Sequence, residues 1–377
     1  MAVSPEGVVL WTETFNDSVI VTSPAVGEDG NVYVVLNFRT PKDVIPFLAS
    51  FTSAGDYRWA HAFLQGPGRF PFGTASVKCS GTGSDFALFL TLLASNKDYD
   101  PLGGETAENG LDELLVLKDS AVVDRKVIGG CPSARGGGGI GFLADVWDFL
   151  SGDWTGEITS GEPLYEQLGW LQPTVAIVSY RTLVTGRFVV VADTCHGLRL
   201  TGFKVSSPPE LHRLWTYEDD SDEYFYSSPA VFPSGLTVIG SRDGQVQAFD
   251  VSSVSAGPEE RLWKYDAGEP VMATPASFGR QVYVASLRHL HVLDYNGELL
   301  HKTTLAGQTV ASPALSGSFV YVSTLGGLQT FRFDLSDPAT AAGGSGGLSS
   351  PALGRDGTVY AVLGEDDRWF LRAYGGD

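Results

Sequence analysis

Basic residues are scarce in this chain: 25 Lys and Arg stand against 44 Asp and Glu, a formal net charge of −19 at pH 7. That balance argues against nucleic acid as a partner, because holding phosphates takes a basic footprint. It argues equally against a surface that clings to anionic lipid, and the acidity reads first as a source of solubility. Long apolar runs are missing too. Nothing approaches the roughly 18 apolar residues of a membrane span, so no membrane-spanning segment is expected. The start, MAVSPEGVVLW, has no basic head followed by an apolar core, so no signal peptide is expected in this chain. Cysteine is limited to Cys79, Cys131 and Cys195, too few and too scattered for a disulfide framework or a metal site. One pair could form and leave one thiol over; three buried free thiols fit as well.

What the chain has in quantity is punctuation. Its 377 residues include 46 Gly and 20 Pro, as many short strands require, and 43% hydrophobic content supplies a core. In the last third the punctuation is periodic. Ser228-Pro229-Ala230 returns as Thr274-Pro275-Ala276, Ser312-Pro313-Ala314 and Ser350-Pro351-Ala352, at intervals of 46, 38 and 38 residues. After each phrase comes a short apolar run, then a second beyond a Gly-containing turn: LTVIGS, QVYVAS, FVYVST and TVYAVL. A further run follows as VQAFDV, LHVLDY, LQTFRF and WFLRAY. A period of about 40 residues with three or four short strands is a propeller blade, which cannot bury both faces alone and must stack on neighbours.

The template extends back to the start. Ser23-Pro24-Ala25, VYVVLN (32–37), IPFLASF (45–51) and GDYRWAHAF (55–63) make a first unit. ASVKCS (75–80), FALFLTLL (86–93), ELLVLKD (113–119) and DRKVIGG (124–130) make a second. TVAIVSY (174–180), RFVVVAD (187–193), LRLTGFKV (198–205) and RLWTYED (213–219) make a third. With four tail units the count is seven. The last unit ends at its third strand, whereas VVLWTETF (8–15) precedes the first unit with Trp11 in the fourth-strand slot of Trp59, Trp215 and Trp263. The N-terminal strand is therefore expected to complete the last blade and close the ring, which leaves no sheet edge open.

The expected fold is a single all-β domain over 1–377: a closed propeller of four-stranded blades, seven in number. Residues 131–168, with four glycines at 136–139 and then GFLADVWDFLSGDW, read as an insertion. An eroded eighth blade is the alternative, and 142–150 have the apolar spacing of a short helix. The segment DPATAAGGSGG (337–347) is a poor fourth strand for the sixth unit.

The pattern [ST]-P-A, Gly turn, V-Y-V, L-x-x-[FL]-[DT] and a fourth-strand Trp stands most clearly at SSPAVFPSGLTVIGSRDGQVQAFDV…RLWKY (227–265). It resembles the quinoprotein-type propeller repeat, known as the PQQ-like repeat. That group includes quinone-dependent alcohol dehydrogenases and a propeller lipoprotein of bacterial outer-membrane assembly. The Gly-His and Trp-Asp signature of WD-type repeats and the kelch double glycine are missing. The resemblance implies a location in the bacterial envelope, periplasmic or outer-membrane-associated, or outside the cell. It does not carry over the dehydrogenase chemistry: the vicinal cysteine pair and the cofactor-stacking Trp with calcium ligands find no match here. No catalytic, cofactor-binding or metal-ligating residue is assigned.

Function is expected on the long connections. In a four-stranded blade the second-to-third links and the blade-to-blade links share one face. Residues 37–45, 94–112, 130–172 and 218–227 are all of these kinds, and long loops on a rigid scaffold are where binding resides. Within them YEDDSDEYFY (217–226) gathers Asp219, Asp220, Asp222 and Glu223 beside Tyr224 and Phe225. That suits a basic protein partner gripped by aromatic anchors, or a solvated acidic loop whose rings pack inward. Calcium is the cation such a loop could hold, although the alternating Asp/Asn-plus-Gly spacing is lacking. Trp147 and Trp154 in the insertion are further candidates for a partner, for stacking on a glycan, or for tying the insertion down.

Other chemistry is thin. His289 and His291 alternate on one strand and share a face, but without a third ligand they read as cross-blade packing. His196 beside Cys195 points away from it on an extended strand. The glycines at 136–139 lack the Lys-Ser/Thr of a phosphate loop. The expectation is a non-enzymatic binding or scaffolding protein that engages a protein partner. A glycan-binding propeller, or a redox or hydrolytic enzyme using the central funnel, are the alternatives.

Overall fold

In the computed structural model the apolar runs become strands buried on both faces. The structure describes residues 2–3, 9–11, 13, 18–19, 25–27, 29–39, 44–63, 71–74, 78–80, 86–94, 110–131, 176–178, 187–193, 198–219, 227–253, 256–341, 345–346, 350–353, 359–365 and 368–374. Every element among them is a strand. They form seven antiparallel sheets, taken here in chain order, and one two-stranded sheet. The fourth sheet shows the plan: Ala230–Val231, Leu236–Gly240, Gln245–Asp250 and Arg261–Asp266 pair in sequence. The third runs from Ala176–Val178 through Arg187–Asp193 and Arg199–Val205 to Leu211–Glu218. The fifth runs from Ala276–Phe278 through Gln281–Ala285 and His289–Asp294 to Leu299–Thr304.

Other sheets vary the plan. In the first (Val32–Arg39, Val44–Phe51, Tyr57–Ala62) two short segments, Ser18–Val19 and Ala25–Val26, both pair with Val32–Arg39. The second (Ala87–Ala94, Gly110–Lys118, Ala121–Cys131) has Pro71–Thr74 and Lys78–Ser80 in the same role. The sixth (Ala314–Ser316, Phe319–Thr324, Gly327–Arg332) ends in the two-residue strand Ala339–Thr340, as its Gly-rich sequence led one to expect. In the seventh, Ser345–Gly346 and Ala352–Leu353 line Val359–Glu365, and Arg368–Tyr374 is the last strand of the chain. Val9–Trp11, expected to complete that sheet, pairs among the described residues with Ala2–Val3. The segment 132–168, with its expected helix at 142–150, lies outside the described residues. Lys78–Ser80 and Ala121–Cys131 occupy opposite edges of the second sheet, three strand spacings or about 14 Å apart. Cys79 and Cys131 are therefore too far apart to be bridged.

Contacts group the chain into two compact units, one of Met1–Trp11, Glu223–Ser253 and Pro258–Asp377, the other of Thr12–Asp222 with Val254–Gly257. Within each, the cores lie between successive sheets. Leu88 and Leu90 pack with Tyr33, Val35 and Leu48 of the first sheet, whereas their neighbours Ala87 and Phe89 pack with Val189, Val191 and Phe203 of the third. In the fifth sheet Val282 and Val284 face Val238 and Val246, and Tyr283 and Ala285 face Val320 and Val322. Side chains alternate across a strand, so a strand sandwiched on both sides must be apolar at every position. That is why these runs show no polar alternation. Each fully buried Val, Leu or Phe contributes about 1.5–3 kcal/mol.

Directional ties join the sheets as well. The [ST]-P-A hydroxyls form one set: Ser312 Oγ accepts from the Thr274 amide at 3.0 Å, and Ser350 Oγ from the Ser312 amide at 2.9 Å. A second set depends on a bulge. In the first five sheets the fourth strand carries an extra residue near its start: Arg58, Val123, Leu214, Leu262 and Leu300 fall between paired positions. Leu10 does the same against Ala2–Val3. A bulge turns the residue beside it, and the one that follows reaches beyond its own sheet. Asp124 accepts the Leu211 amide at 2.6 Å. Trp215 lies on Gly257, and Trp263 lies on Gly297 while its Nε1 donates to the Tyr295 carbonyl at 2.9 Å. His301 replaces the Trp in the fifth sheet and acts on Asp334, whose carboxyl is held low first by the Ser336 hydroxyl and amide. There Leu335 takes the glycine's place at φ 60°, and Phe278 stacks on Phe333 at 4.3 Å between centroids.

Gly297 is the sharpest test of this tie. Its φ is +84°, and a Cβ would come within 2.6 Å of the Trp263 ring. Gly268 has a similar φ of +74° but nothing within 4 Å. Gly297→Ala is expected to destabilise by about 2–3 kcal/mol and Gly268→Ala by about 1 kcal/mol, as read by urea unfolding.

Candidate interaction face

Backbone hydrogen bonds show which connections gather together. In the unit that holds the fourth to seventh sheets, the second-to-third links meet the sheet-to-sheet links directly. The Val271 amide donates to Ser241 O at 2.9 Å and the Ala267 amide to Gly244 O at 2.8 Å. The Leu287 amide donates to Pro270 O at 3.0 Å, and the Leu325 amide to Gln308 O at 2.9 Å. In the other unit the Asp219 amide donates to Leu198 O at 2.9 Å, which joins the end of the third sheet to its own second-to-third link. Within each unit these two kinds of connection thus share one end of the sheets, as the blade rule requires.

Asp219 is half-buried and opens the acidic loop at that end. Asp220, Asp222, Glu223, Tyr224 and Phe225 lie outside the described residues, as do Trp147 and Trp154. The structure accordingly positions one member of the expected site and leaves the others as sequence candidates.

The same end of the fourth and fifth sheets holds a polar joint that sequence reasoning found only in part. His291 is fully buried, and both ring nitrogens are engaged: Nδ1 lies 2.9 Å from the Tyr265 hydroxyl and Nε2 3.0 Å from Ser286 Oγ. Ser286 Oγ in turn lies 3.2 Å from Glu269 Oε2, and Glu269 Oε1 lies 3.1 Å from His289 Nδ1. The Arg288 amide donates to Glu269 Oε2 at 2.8 Å. Ser286 has one proton to give. If it goes to the carboxylate, Nε2 of His291 carries the ring proton and Nδ1 accepts from Tyr265, a neutral tautomer assigned from the network. His289 and His291 do share a face, with ring centroids 6.0 Å apart, and they join neighbouring sheets. Glu269, which meets His289 directly and His291 through Ser286, comes from a link too far along the chain to be visible in the strand pattern. Gln247 and Gln329 occupy the position of His291 in the adjoining sheets; Arg261 Nη1 donates to the first at 3.2 Å and the Ala306 amide to the second at 2.7 Å. His291 and Gln329 thus tie links to strands, whereas Gln247 ties the third strand of its sheet to the fourth.

Electrostatics fit a structural joint. Burial pushes the Glu269 carboxyl up, but the Arg288 amide, His289 and Ser286 together hold it below its ordinary value. Burial lowers His291 to about 4, reinforced by Lys302 and His289. Ser286 is also fully buried, so this serine and histidine are closed to a substrate. Among the described residues, no group of three or more His, Cys, Asp and Glu is arranged to hold a metal ion, and no helix is long and apolar enough to cross a membrane.

A pH dependence follows. Between pH 6.5 and about 4 the unfolded chain takes up a proton on this histidine and the native state does not. Stability must fall as pH drops through that window, by about 3 kcal/mol in all, and level off below it. His291→Gln, which installs the residue of the adjoining sheets, is expected to flatten this slope in urea unfolding between pH 7 and 4. An unchanged slope would assign the acid sensitivity elsewhere.

No family model matches the chain, and no curated protein does. Solved structures do. BamB from Moraxella catarrhalis is similar with a TM-score of 0.54 at 13% identity, over 94% of this chain and 83% of that one. A chain of the mitotic checkpoint complex gives 0.51 at 12% identity over 97% and 94%. Sqt1 of Saccharomyces cerevisiae gives 0.51 at 10% identity over 95% and 96%. Identities this low speak to the fold, and they agree with the antiparallel four-stranded sheets and the cores between them: the chain is an all-β propeller that resembles BamB, a propeller of the PQQ-like repeat.

Proposed function

We propose that this protein is a non-enzymatic scaffold of the bacterial envelope or the extracellular space, and that it docks a protein partner on the loop-rich ends of its first four sheets. The observation that supports this is the hydrogen bond from the Asp219 amide to Leu198 O, which fixes the start of the acidic loop beside the second-to-third link of the third sheet. Asp219, Asp220, Asp222 and Glu223 would supply charge for a basic partner, and Tyr224, Phe225, Trp147 and Trp154 the apolar anchors. The likeness to a chain of a multiprotein complex and to BamB, a bacterial envelope lipoprotein, supports a binding role and that location. Clustered charge on a loop steers and selects partners more than it adds raw affinity, so the association should be sensitive to salt.

The test is capture of partners from an envelope extract of the source organism by the full chain. A variant with serine at 219, 220, 222 and 223 is run beside it. The expected result is one or more proteins retained at low salt, released at about 0.5 M salt, and absent from the variant. Equal capture by both chains would remove the acidic loop as the docking element.

A further inference from the structure

The two-stranded sheet at the start of the chain has the form of half a blade. Ala2 stands opposite Trp11 and Val3 opposite Val9, with Leu10 left over between them. Third and fourth strands meet in the same way in other sheets: Ser50 opposite Trp59 and Phe51 opposite Tyr57, Gly202 opposite Trp215 and Phe203 opposite Arg213, Ala248 opposite Trp263 and Phe249 opposite Arg261. Leu10 is 60% exposed, and the bulged Leu262 and Leu300 face water likewise. The connection matches too. Five residues join Val3 to Val9, as five join Phe51 to Tyr57 and Leu293 to Leu299, and Gly7 stands fourth among them, where Gly55 and Gly297 stand. Ala2–Val3 therefore holds the place of a third strand, and Val9–Trp11 that of a fourth.

The seventh sheet has a third strand of its own. There Val359 pairs with Tyr374 and Tyr360 with Ala373, as Val282 pairs with Leu293 and Tyr283 with Val292 in the fifth sheet. Ala373 and Tyr374 are thus the counterparts of Val292 and Leu293, and also of Ala2 and Val3. The same two positions are filled twice. Among the described residues, Arg368–Tyr374 pairs with Val359–Glu365 alone, and no fourth strand lies beyond it. Although Met1–Trp11 leads directly into the first sheet, its contacts group it with the fourth to seventh sheets. One compact unit therefore holds a single fourth strand and two third strands that match it, Ala2–Val3 with two residues and Arg368–Tyr374 with seven.

We infer that Val9–Trp11 is an exchangeable fourth strand, seated on Ala2–Val3 in one state and on Arg368–Tyr374 in another. In the second state Trp11 stands opposite Ala373, Val9 opposite Tyr374, and Leu10 remains the bulge. The register is the same in both, so the strand changes partner without changing which side chains face which way. Exchange completes the seventh sheet and covers the row of backbone donors and acceptors along its outer strand, which otherwise stands as a template for other chains. Ala2–Val3 acts as the competitor that holds this edge open.

The test is hydrogen exchange on the full chain and on Val3→Pro. Proline has no amide to give a ladder, so this variant frees Val9–Trp11 from Ala2–Val3. The expected result is exchange about ten-fold slower across Trp369–Tyr374 in the variant, with protection of Leu10 and Trp11 retained. Gln281–Ala285 should be unchanged, which shows the other sheets intact. Disulfide trapping gives a second reading, since residues directly opposite are within bridging distance. Val9→Cys with Tyr374→Cys should link positions 9 and 374 within one chain, as read by peptide mapping, and more completely when Val3→Pro is added. Val3→Cys with Val9→Cys should lock the hairpin and leave Trp369–Tyr374 as fast as in the parent. No gain of protection at Trp369–Tyr374 in Val3→Pro, or no link between 9 and 374, would overturn the exchange. So would a link found only between differently labelled chains, since a second copy would then own the edge.

Discussion

The internal strands of the first five sheets are buried on two faces, and that constraint organises the rest. A sheet in the middle of such a stack has no polar face on which to rest. Val282 and Val284 need the fourth sheet while Tyr283 and Ala285 need the sixth, so no blade is stable by itself and neighbours must be held in register. Apolar burial gives the bulk of the energy but is non-directional. Register comes from polar ties: the [ST]-P-A hydroxyls, the residue after the fourth-strand bulge, and the buried His291 and Gln329. The position after the bulge holds Trp59, Asp124, Trp215, Trp263 and His301. The fold therefore fixes where the tie is made and leaves open which chemistry makes it.

This division separates the two ends of the sheets. One end carries long connections stitched together by backbone hydrogen bonds and the Glu269–His289–Ser286–His291 joint. Its rigidity lets loops grow without disturbing the cores, which suits a scaffold. The other end has tight turns set by Asp294 and Asp334, whose carboxylates accept turn amides, and by glycines such as Gly297 that lie against a Trp. Turns so short leave little freedom for sequence except at the bulges, and it is there that apolar side chains project.

Much of the architecture could be read in advance because burial on both faces writes itself as unbroken apolar runs, and because Ser-Pro-Ala recurs at blade length. The short fourth strand at Ala339–Thr340 and the end of the chain at a third strand were both visible in composition and spacing. The bulges were not: a one-residue register shift leaves no periodic signature. Trp59, Trp215 and Trp263 betrayed the slot, whereas Asp124 and His301 fill it without an aromatic and passed unnoticed. His289 and His291 were recognised as sharing a face, since alternation is a backbone property, but Glu269 is supplied by a distant link. Of the candidate site, Asp219 alone is among the described residues, and its place follows from the pairing of Leu211–Glu218 with Arg199–Val205.

The central claim is that the residue after the bulge couples a sheet to its neighbour within the same unit, and Trp263 offers the cleanest measurement. Native-state hydrogen exchange of the protein and of Trp263→Leu would compare amides within Arg261–Asp266 with those of His289–Asp294 and the turn beyond. Coupling predicts that protection of Tyr295 to Glu298 and of His289–Asp294 falls together with that of the mutated strand. Loss confined to Arg261–Asp266 would contradict it and reduce the Trp263–Gly297 contact to a local packing detail.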